Sequence, residues 1–498
     1  MKSGLKNKQL LLSLILMSVF LLKAKAQTGM AFYPIENQFN SSAFNPAFLT
    51  SEGQFTLSIF PFGGSNFGYN NQKEIQNLVT TLLSGINKDV DYIDLVKSMV
   101  NRPSYSQKLE TDLLSFTFRS KDGFLNFRVA ENVLFSASVQ GPVSLFMIEP
   151  EVKSVEIGHV QTVPALITHY REYSIGYSLP SSHKKLSGGI RAKLYYGKAT
   201  FSSGISGSVV DVAGNYYLKM HGLGKMSVPE ETIQNSDGSI TTVPSLSGTT
   251  VKKYMMNSGN TGLGLDLGIK YKITPKFSFT MSVIDLGKIN WRNNLNSKNF
   301  NGEYLFKGSS VYPTTRNGVD MLTKTSDSIS FQDKMSTLFK TIPNNSRFST
   351  SLPTTIFAGL NYQVNPEIKI NLIERFIRLK TMNHNSFSVS ANFELNKKLT
   401  VNTGYSVIGN EYNNIPLALL YNLDFGQMYL GTDNLLTYIL PSFSEYSGLS
   451  FGMCFYLFRK RNLYDDPTDA YPYHKPKKVK KVKNTGRILQ EYPEFYYP

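Results

Sequence analysis

The side chains that most often carry catalysis are few in this chain, and their spacing indicates no active site. Six histidines lack the metal-ligand spacing of H-E-x-x-H, and no G-x-x-x-x-G-K-[ST] loop is present to bind phosphate. The six are His159, His169, His183, His221, His384 and His474. A hydrolase whose Ser, His and Asp come from different strands stays open as an alternative, with His169, His183 or His384 as the residue to change. We expect a protein that is not an enzyme and that holds no metal or cofactor.

Two further groups of residues resemble chemical motifs but favour structural roles. Gly262, Gly264 and Gly268 have the wrong spacing for a dinucleotide-binding loop, and they alternate with apolar residues as in a strand, where glycine relieves crowding. Cys454 is the single cysteine, so it has no partner for an intramolecular disulfide. It alternates with apolar residues, and we interpret it as an inert thiol buried in a strand.

The carboxyl-terminal tail, residues 459–498, carries the densest positive charge. Seven basic residues lie within 13 positions, and nearby Pro and Tyr residues suit a disordered segment. They are Lys475, Lys477, Lys478, Lys480, Lys481, Lys483 and Arg487. We expect two alternatives for this tail. Either it binds anionic phospholipid head groups or cell-wall polymers, at about 1 kcal/mol per basic residue near a charged surface, or it is solvated without a partner.

Residues 1–26 have the organisation of a secretory signal peptide. Lysines precede an apolar run of 13 residues, and Ala24-Lys25-Ala26 supplies small residues before a cleavage site at Gln27. The run is shorter than the roughly 20 apolar residues of a spanning helix. The signal and the tail hold much of the net charge of +16. The rest of the chain is therefore only mildly basic, and we expect no nucleic-acid partner.

The body of the chain, residues 27–458, has the periodicity of strands. Across 262–272, apolar residues occupy the odd positions and small or polar residues the even ones. The same alternation runs through 386–395, 449–457 and 276–283. Successive side chains of a strand point to opposite faces, and the segments approach the nine to eleven or so residues with which a tilted strand crosses a bilayer.

The same alternation would suit a soluble β-sandwich, so other features must decide. The polar face is rich in Gly, Ser, Thr and Asn, as a wet lumen requires, and Tyr and Phe recur near strand ends as in an interfacial girdle. A bilayer tolerates strands only when every backbone group is hydrogen-bonded within a closed barrel. We count about 17 segments, of which 54–62 and 209–218 are the weakest. We expect an all-β, closed antiparallel transmembrane β-barrel of roughly 14–16 strands with small helical insertions, and a secreted β-rich protein is the alternative.

The links between segments indicate how the barrel sits in the membrane. Short links are predicted at 424–427, 396–398, 365–366 and 274–275, and longer ones at 433–446, 374–385, 285–353 and 221–259. Lys121-Asp122-Gly123 is a hairpin signal. Outer-membrane barrels have short periplasmic turns and long external loops. We therefore expect a bacterial outer-membrane protein whose carboxyl terminus is periplasmic and whose partners include outer-membrane lipid.

Two stretches have helical periodicity instead. Apolar residues recur every three or four positions in 75–86 and in 331–339. They predict either a plug or lid that narrows the barrel, or a helical insertion packed outside the pore.

Several short motifs resemble a known group of proteins. The segment Ala43-Phe44-Asn45-Pro46-Ala47-Phe48-Leu49 resembles the Asn-Pro-Ala element near the start of FadL-like and PorV-like outer-membrane barrels. The segments 262–268, 282–291 and 431–436 look like an uncharacterised group of Bacteroidota outer-membrane proteins that carry a domain of unknown function. The residues of the match include Asp285, Leu286, Gly287 and Trp291. Asn45, Pro46 and Ala47 also suit a fixed turn.

The resemblance covers residues 27–458 and implies a FadL-type barrel with an amino-terminal segment in or below its lumen. FadL relatives move hydrophobic compounds across the outer membrane, whereas PorV and PorP relatives are partners or anchors of secretion and gliding machinery. The first hypothesis is therefore a transporter or pore for small, perhaps hydrophobic, solutes. The second is a structural or accessory barrel of a secretion, gliding or adhesion assembly, with external loops as contact surfaces.

Overall fold

The computed structural model describes most of the chain between residues 29 and 457. The described ranges are 29–48, 55–70, 104–120, 123–138, 161–179, 185–212, 215–228, 231–234, 240–243, 248–306, 313–316, 319–322, 346–379, 383–409, 411–440 and 446–457. Predictions for the signal peptide, for the helical stretches 75–86 and 331–339, and for the tail concern residues outside these ranges.

The strands form where polar and apolar residues alternate in the sequence. Their buried faces are polar and their exposed faces are apolar, which is the reverse of a soluble protein. In 383–394, Ser386, Ser388 and Ser390 are buried, whereas Phe387 and Val389 between them are 45% and 44% exposed. Leu263 of 260–272 is 72% exposed and lies between Gly262, which is buried, and Gly264, which is half-buried. Polar side chains therefore face the interior, and an apolar surface faces outward, as a membrane barrel requires.

Twenty-three strands and two short α-helices make up the regular structure of the described ranges. The first twelve strands are β1 (Phe55–Ile59), β2 (Ser65–Asn70), β3 (Ser104–Arg119), β4 (Phe124–Ser138), β5 (Gln161–Leu179), β6 (Leu186–Val212), β7 (Asn215–Ser227), β8 (Glu231–Gln234), β9 (Ile240–Val243), β10 (Asn260–Lys272), β11 (Phe277–Trp291) and β12 (Leu295–Phe306). The others are β13 (Pro313–Arg316), β14 (Val319–Leu322), β15 (Phe348–Ser351), β16 (Thr354–Asn365), β17 (Ile368–Arg378), β18 (Asn383–Glu394), β19 (Leu399–Ile408), β20 (Glu411–Asn414), β21 (Leu417–Leu423), β22 (Gly426–Thr432) and β23 (Tyr446–Leu457). The helices are α1 (Gly248–Met255) and α2 (Leu436–Ile439), and a 3₁₀ turn covers Ser41–Ala43.

The strands close into an antiparallel barrel with 14 positions in its wall, counted over the described residues. Three positions hold two strands each, namely β1 with β2, β15 with β16, and β20 with β21. The remaining eleven are β3, β4, β5, β6, β10, β11, β17, β18, β19, β22 and β23. Closure occurs where β23 pairs with β1 and β2. The predicted closed barrel of roughly 14–16 strands is confirmed, and the weak segment at 54–62 is part of the first wall strand.

The wall has two ends that differ in their links. Two-residue links join β16 to β17 and β21 to β22, and four-residue links join β10 to β11 and β18 to β19. We call this side the turn end and the opposite side the loop end. The four predicted short links all lie at the turn end. The predicted long link at 433–446 agrees with the gap between β22 and β23.

Three predicted long links begin too early in the sequence. β11 continues through Asp285 to Trp291, β7 continues through His221 to Ser227, and β17 continues through Glu374 to Arg378. Polar residues such as Glu374 and Arg378 face outward near the end of β17. Outside the hydrocarbon layer an outward side chain no longer has to be apolar, so the alternation fades before the strand does.

The sheet of the wall extends beyond the barrel at the loop end. β6 is 27 residues long, and its second half pairs with β7 rather than with β10. β12 in turn pairs with β7. Two separate hairpins, β8 with β9 and β13 with β14, follow in the same long connections. No helix within the described ranges is long and apolar enough to cross a membrane.

The lumen is occupied by the chain's own amino-terminal segment. Residues 29–48, which we call the plug, precede the first wall strand and are buried almost throughout. Ala31, Phe32, Ile35 and Phe39 form an apolar cluster with wall residues that include Cys454, which is fully buried on the inner face. The barrel therefore encloses a peptide rather than an open channel over these residues.

Candidate functional site

The first residues of the plug are held at the loop end by one carboxylate. Asp433, which follows β22, accepts hydrogen bonds from the backbone N–H groups of Met30 at 3.2 Å and Ala31 at 2.9 Å, with Gly29 at 3.4 Å. Its other contact is Arg375 of β17, whose guanidinium lies 3.4 Å away. Both wall residues are buried. A charged acceptor with several N–H donors is a strong anchor.

The plug then descends to the turn end, where Glu36 bridges two wall strands. Its carboxylate contacts the ammonium of Lys270 on β10 and lies 3.4 Å from the ammonium of Lys369 on β17. Lys369 also donates to the carbonyl of Pro34 at 3.0 Å. Although burial alone raises the pKa of Glu36, the two lysines outweigh it and lower that pKa to about 2. Glu36 is therefore ionised at neutral pH and joins the plug to two strands that are three wall positions apart.

In the Asn-Pro-Ala element, the plug approaches the turn end for a second time. Asn45 Oδ1 accepts the N–H of Ala47 at 2.9 Å, which closes a tight turn, while Asn45 Nδ2 lies 3.3 Å from the carbonyls of Ile269 and Met281 in the wall. The carbonyl of Pro46 accepts from the hydroxyl of Ser178. The predicted turn is present, and its polar groups also fasten the plug to strands β5, β10 and β11.

Two wall glycines make room for this turn. A Cβ added to Gly268 would lie 2.1 Å from Asn45 Oδ1, and one added to Gly189 would lie 1.9 Å from the carbonyl oxygen of Pro46. Real atoms do not approach this closely, so only glycine fits at either position. The strand role of Gly268 was predicted; its contact with the Asn-Pro-Ala turn was not.

A network of buried charges lines the lumen on the loop-end side of the plug. Arg128 of β4 contacts Glu110, lies 2.5 Å from Asp112, and lies 3.4 Å from Glu172. Lys193 of β6 continues the network. Its ammonium lies 2.5 Å from Asp285, 2.9 Å from Asp266 and 3.6 Å from Glu172. Lys108 and Arg191 complete it.

The plug takes part in this network. Asn40 donates to Asp112 at 2.9 Å, and Ser42 accepts from Arg191 at 2.8 Å. Paired charges of this kind are costly to separate, because removing one partner leaves the other buried and unneutralised. The network therefore fixes the shape of the lumen around the middle of the plug.

Asp285 reaches the network through an irregularity in β11. The pairing of β10 with β11 shifts register between Leu265 and Leu267, and Asp285 has φ of +62°. Non-glycine residues rarely adopt this left-handed backbone, and such strain concentrates at functional positions. The N–H of Asp285 donates to Asp266 at 2.7 Å, which stabilises the bulge. A bulge re-aims one side chain of a strand, and here it turns a carboxylate toward the ammonium of Lys193.

Two cavities lie on opposite sides of the plug. The inner cavity, of about 90 Å³, is lined by Ala43 and Phe44 of the plug and by ionised wall residues such as Lys193 and Asp285. The turn-end recess, of about 850 Å³, is lined by Glu36 and Phe48 of the plug and by residues of the short turns. β11 contributes Phe277 and Ser278 to the recess but Ile284 and Asp285 to the cavity, so the plug separates the two spaces along the barrel axis.

Comparison with protein families decides the classification. A family described as "Family of unknown function (DUF5723)" matches residues 46–433. The chain belongs to this family. The expected membership of a family with a domain of unknown function is thereby confirmed, whereas an origin in Bacteroidota stays a prediction. No curated protein is similar in sequence.

Several solved structures resemble the DUF5723 chain at very low sequence identity. The toluene transporter TbuX of Ralstonia pickettii is 11% identical with a TM-score of 0.34, over 84% of this chain and 93% of that one. The toluene transporter TodX of Pseudomonas putida is 11% identical with a TM-score of 0.34, over 87% and 94%. The translocator domain of the autotransporter NalP of Neisseria meningitidis is 8% identical with a TM-score of 0.31, over 86% and 96%.

The remaining motif residues have different locations in the DUF5723 barrel. Leu286 is 54% exposed on the outer face. Gly287 packs against the backbone of β10, where a Cβ would lie 2.6 Å from the carbonyl of Leu263. Trp291 is fully buried, and its indole N–H donates to Thr350 at 2.9 Å. These three residues build the wall, and only Asp285 of this motif enters the charge network.

The two described histidines among those proposed for a hydrolase, His169 and His384, do not lie in one site. His169 lies on β5 and His384 on β18, six positions apart in a ring of 14 and so on nearly opposite sides, and His183 lies outside the described ranges. Among the described residues no group of three or more acidic, His or Cys residues could hold a metal. The segment 448–452 has the pattern G-x-S-x-G, which in hydrolases marks a nucleophilic serine. It lies within β23, where Ser450 donates to Asn66 at 2.7 Å, rather than at a strand-to-helix turn.

Proposed function

We propose that the protein is an outer-membrane transporter for small solutes, whose passage is gated by the plug. The observation that carries the proposal is the pair of cavities that one segment of peptide separates, since movement of residues 36–48 would join the turn-end recess to the inner cavity. The outward apolar face supports placement in a membrane. The expected outer-membrane location and the periplasmic position of the turn end and carboxyl terminus are part of this proposal.

The lining of the lumen bears on the chemistry of the solute. Acidic and basic side chains from six wall strands surround the inner cavity, so polar or zwitterionic solutes are better matched to it than hydrocarbons are. The resemblance to FadL-like barrels implies a hydrophobic solute, and that expectation stays a prediction. Both classes therefore belong in one uptake experiment.

The test is transport by the purified protein in liposomes. We expect slow uptake of small sugars or amino acids by the wild-type protein, and faster uptake by a variant with a weakened plug anchor, Asp433→Asn. A hydrocarbon such as toluene tests the alternative solute class. Membranes that stay impermeable to every solute with both proteins would refute the transporter proposal, provided that both run as heat-modifiable folded barrels in electrophoresis.

A second function is favoured by the fact that the plug closes the lumen. A barrel whose interior is filled by its own hydrogen-bonded peptide suits an accessory protein of a secretion, gliding or adhesion assembly. The extension of the sheet formed by β7 and β12 would then offer a contact surface at the loop end. An accessory barrel should copurify stoichiometrically with a large partner after mild solubilisation, whereas a transporter should purify alone.

The basic tail is part of the proposal for the turn-end side. Lysines between 475 and 483 would hang in the periplasm after the last wall strand and contact anionic lipid or cell wall. Cosedimentation of a tail peptide with anionic vesicles should be lost when these lysines are changed to alanine. Binding that is indifferent to those changes would leave the tail as a solvated segment.

A further inference from the structure

The turn-end recess has the size of a small-molecule site. Its volume of about 850 Å³ falls within the roughly 300–1,000 Å³ of typical ligand pockets. Glu36, Asn37, Ala47 and Phe48 of the plug line it from inside the barrel, and the ends of wall strands and their short turns line it all around. A ligand in this recess would therefore touch the plug directly.

The charge of the recess favours an anion. Five lysines and three glutamates line it, which leaves an excess of two positive charges. They are Lys185, Lys270, Lys272, Lys276, Lys369, Glu36, Glu367 and Glu394. A concave surface lined by one excess sign of charge raises the local concentration of oppositely charged ligands.

The lysines of the recess already bind one carboxylate of the protein itself, that of Glu36. Lys270 and Lys369 approach from two strands and both contact the side chain of Glu36, which belongs to the plug and not to the wall. The three side chains are only 17–22% exposed, so these contacts are partly shielded from water. The lysine pair is thus a site for a carboxylate or phosphate group that is filled from within the molecule.

We propose that the turn-end recess binds a small polyanion, whose carboxylate or phosphate oxygens replace Glu36 on Lys270 and Lys369. Replacement would remove the ionic contact of the plug with these two strands, while hydrogen bonds such as that from the N–H of Phe39 to Gln427 at 2.6 Å would remain. The bound anion would thus loosen the plug from the turn end. The anion site itself stands without the proposed transport, whereas its effect on the passage of solutes rests on it.

Glu36 and an external anion compete for the same lysines, and this gives the test its direction. Removal of the competitor by Glu36→Gln should tighten anion binding by about tenfold or more, because the competent state no longer has to form against the internal ion pair. Lys369→Gln should weaken binding. Glu367→Gln is the matched control, since it removes the same charge from the recess without touching the lysine pair.

Isothermal titration of the full mature protein in an uncharged detergent measures these affinities, with citrate and pyrophosphate as probes. The two probes distinguish carboxylate from phosphate ligands, and tighter binding of either to Glu36→Gln than to Glu367→Gln supports the site. Absence of saturable binding of both probes to wild type and to Glu36→Gln would overturn the proposal. Equal tightening by Glu367→Gln would overturn it as well, because a general charge effect would then suffice. Binding without solute uptake would retain the anion site and refute the transporter, and uptake without binding would do the reverse.

Discussion

The contact of Glu36 with two lysines gives the most direct test of how the plug is held. The change Glu36→Gln keeps the size of the side chain and one of its two oxygen acceptors, but it removes the charge that Lys270 and Lys369 share. We expect the turn-end part of the plug to leave the wall more often, while the anchor at Asp433 keeps the first residues in place.

The expected magnitude follows from the pKa of Glu36. A carboxyl whose pKa is 4.5 when free and about 2 when seated in the barrel stabilises the seated form by roughly 3 kcal/mol at neutral pH. Gln retains part of the hydrogen bonding, and water can reach the freed ammonium groups. We therefore expect a loss of about 2 kcal/mol, which corresponds to an increase in opening of roughly 30-fold.

Hydrogen–deuterium exchange resolved by peptide is the suitable assay, because exchange of buried N–H groups reports the free energy of local opening. Exchange across residues 32–44 should accelerate about 30-fold in Glu36→Gln. Peptides from β10 and β17 should change little. Glu367→Gln, which alters an exposed carboxylate at the same end, should leave the plug unchanged.

An acceleration of less than about threefold would refute the reasoning, since the lysines would then contribute almost nothing to seating. An equal acceleration in Glu367→Gln would also refute it. In that case the recess would respond to its total charge and not to the contact that the plug makes.

Four further outcomes follow from the same structure. Gly189→Ala places a Cβ 1.9 Å from a plug carbonyl and should lower the free energy of local opening at the Asn-Pro-Ala turn by about 1–3 kcal/mol, which accelerates exchange there. A Cβ added at Gly188 would meet no atom within 4 Å, so Gly188→Ala should leave this exchange unchanged. Asp433→Asn should speed exchange of residues 29–31 by roughly tenfold, because the N–H groups lose a charged acceptor; unchanged exchange there would contradict the anchor. Asp285→Ala removes the nearest of the three carboxylates around buried Lys193, while Asp266 and Glu172 remain, and should destabilise the barrel by about 1–3 kcal/mol, seen as a lower heat-modification temperature in electrophoresis; an unshifted temperature would contradict this. The stabilisation of the seated plug by Glu36 is complete above pH 4.5 and is lost as the pH falls toward 2. After correction for the intrinsic pH dependence of exchange, acid should therefore accelerate exchange of the plug more in wild type than in Glu36→Gln. Equal acid responses would contradict this.

The barrel could be predicted from the sequence because its cause is local. In a wall strand each side chain faces either lipid or lumen. The residue types of Phe387 and Ser388 therefore indicate which face each occupies, even when the neighbouring strands are unknown. The signal weakens where strands leave the apolar layer. It also fails where the Asp285 bulge changes the parity of β11, and for that reason the long link was placed too early there.

The resemblance to FadL-type barrels implied an amino-terminal segment in or below the lumen, but the contacts of the plug could not be predicted from a local pattern, because its partners lie far away in the sequence. Ala31 and Asp433 are 402 positions apart, and Glu36 meets Lys369 across 333. Polar residues scattered along 29–48 show no periodicity that would identify such partners. The Asn-Pro-Ala motif indicated a turn. Only the three-dimensional arrangement of the strands shows that Gly189 and Gly268 leave room for this turn.

The order of elements along the chain has a consequence for assembly in the membrane. The plug precedes the strand that meets the last one to complete the ring, and its groups bond to wall residues from Asp112 to Asp433. Because the plug is covalently joined to the first wall strand and bonds to many inward-facing side chains, it would enter a barrel that had already closed only with difficulty. We therefore expect the sheet to curl around residues 29–48 while its first and last edges are still apart, so that the enclosed peptide acts as a template for the cylinder.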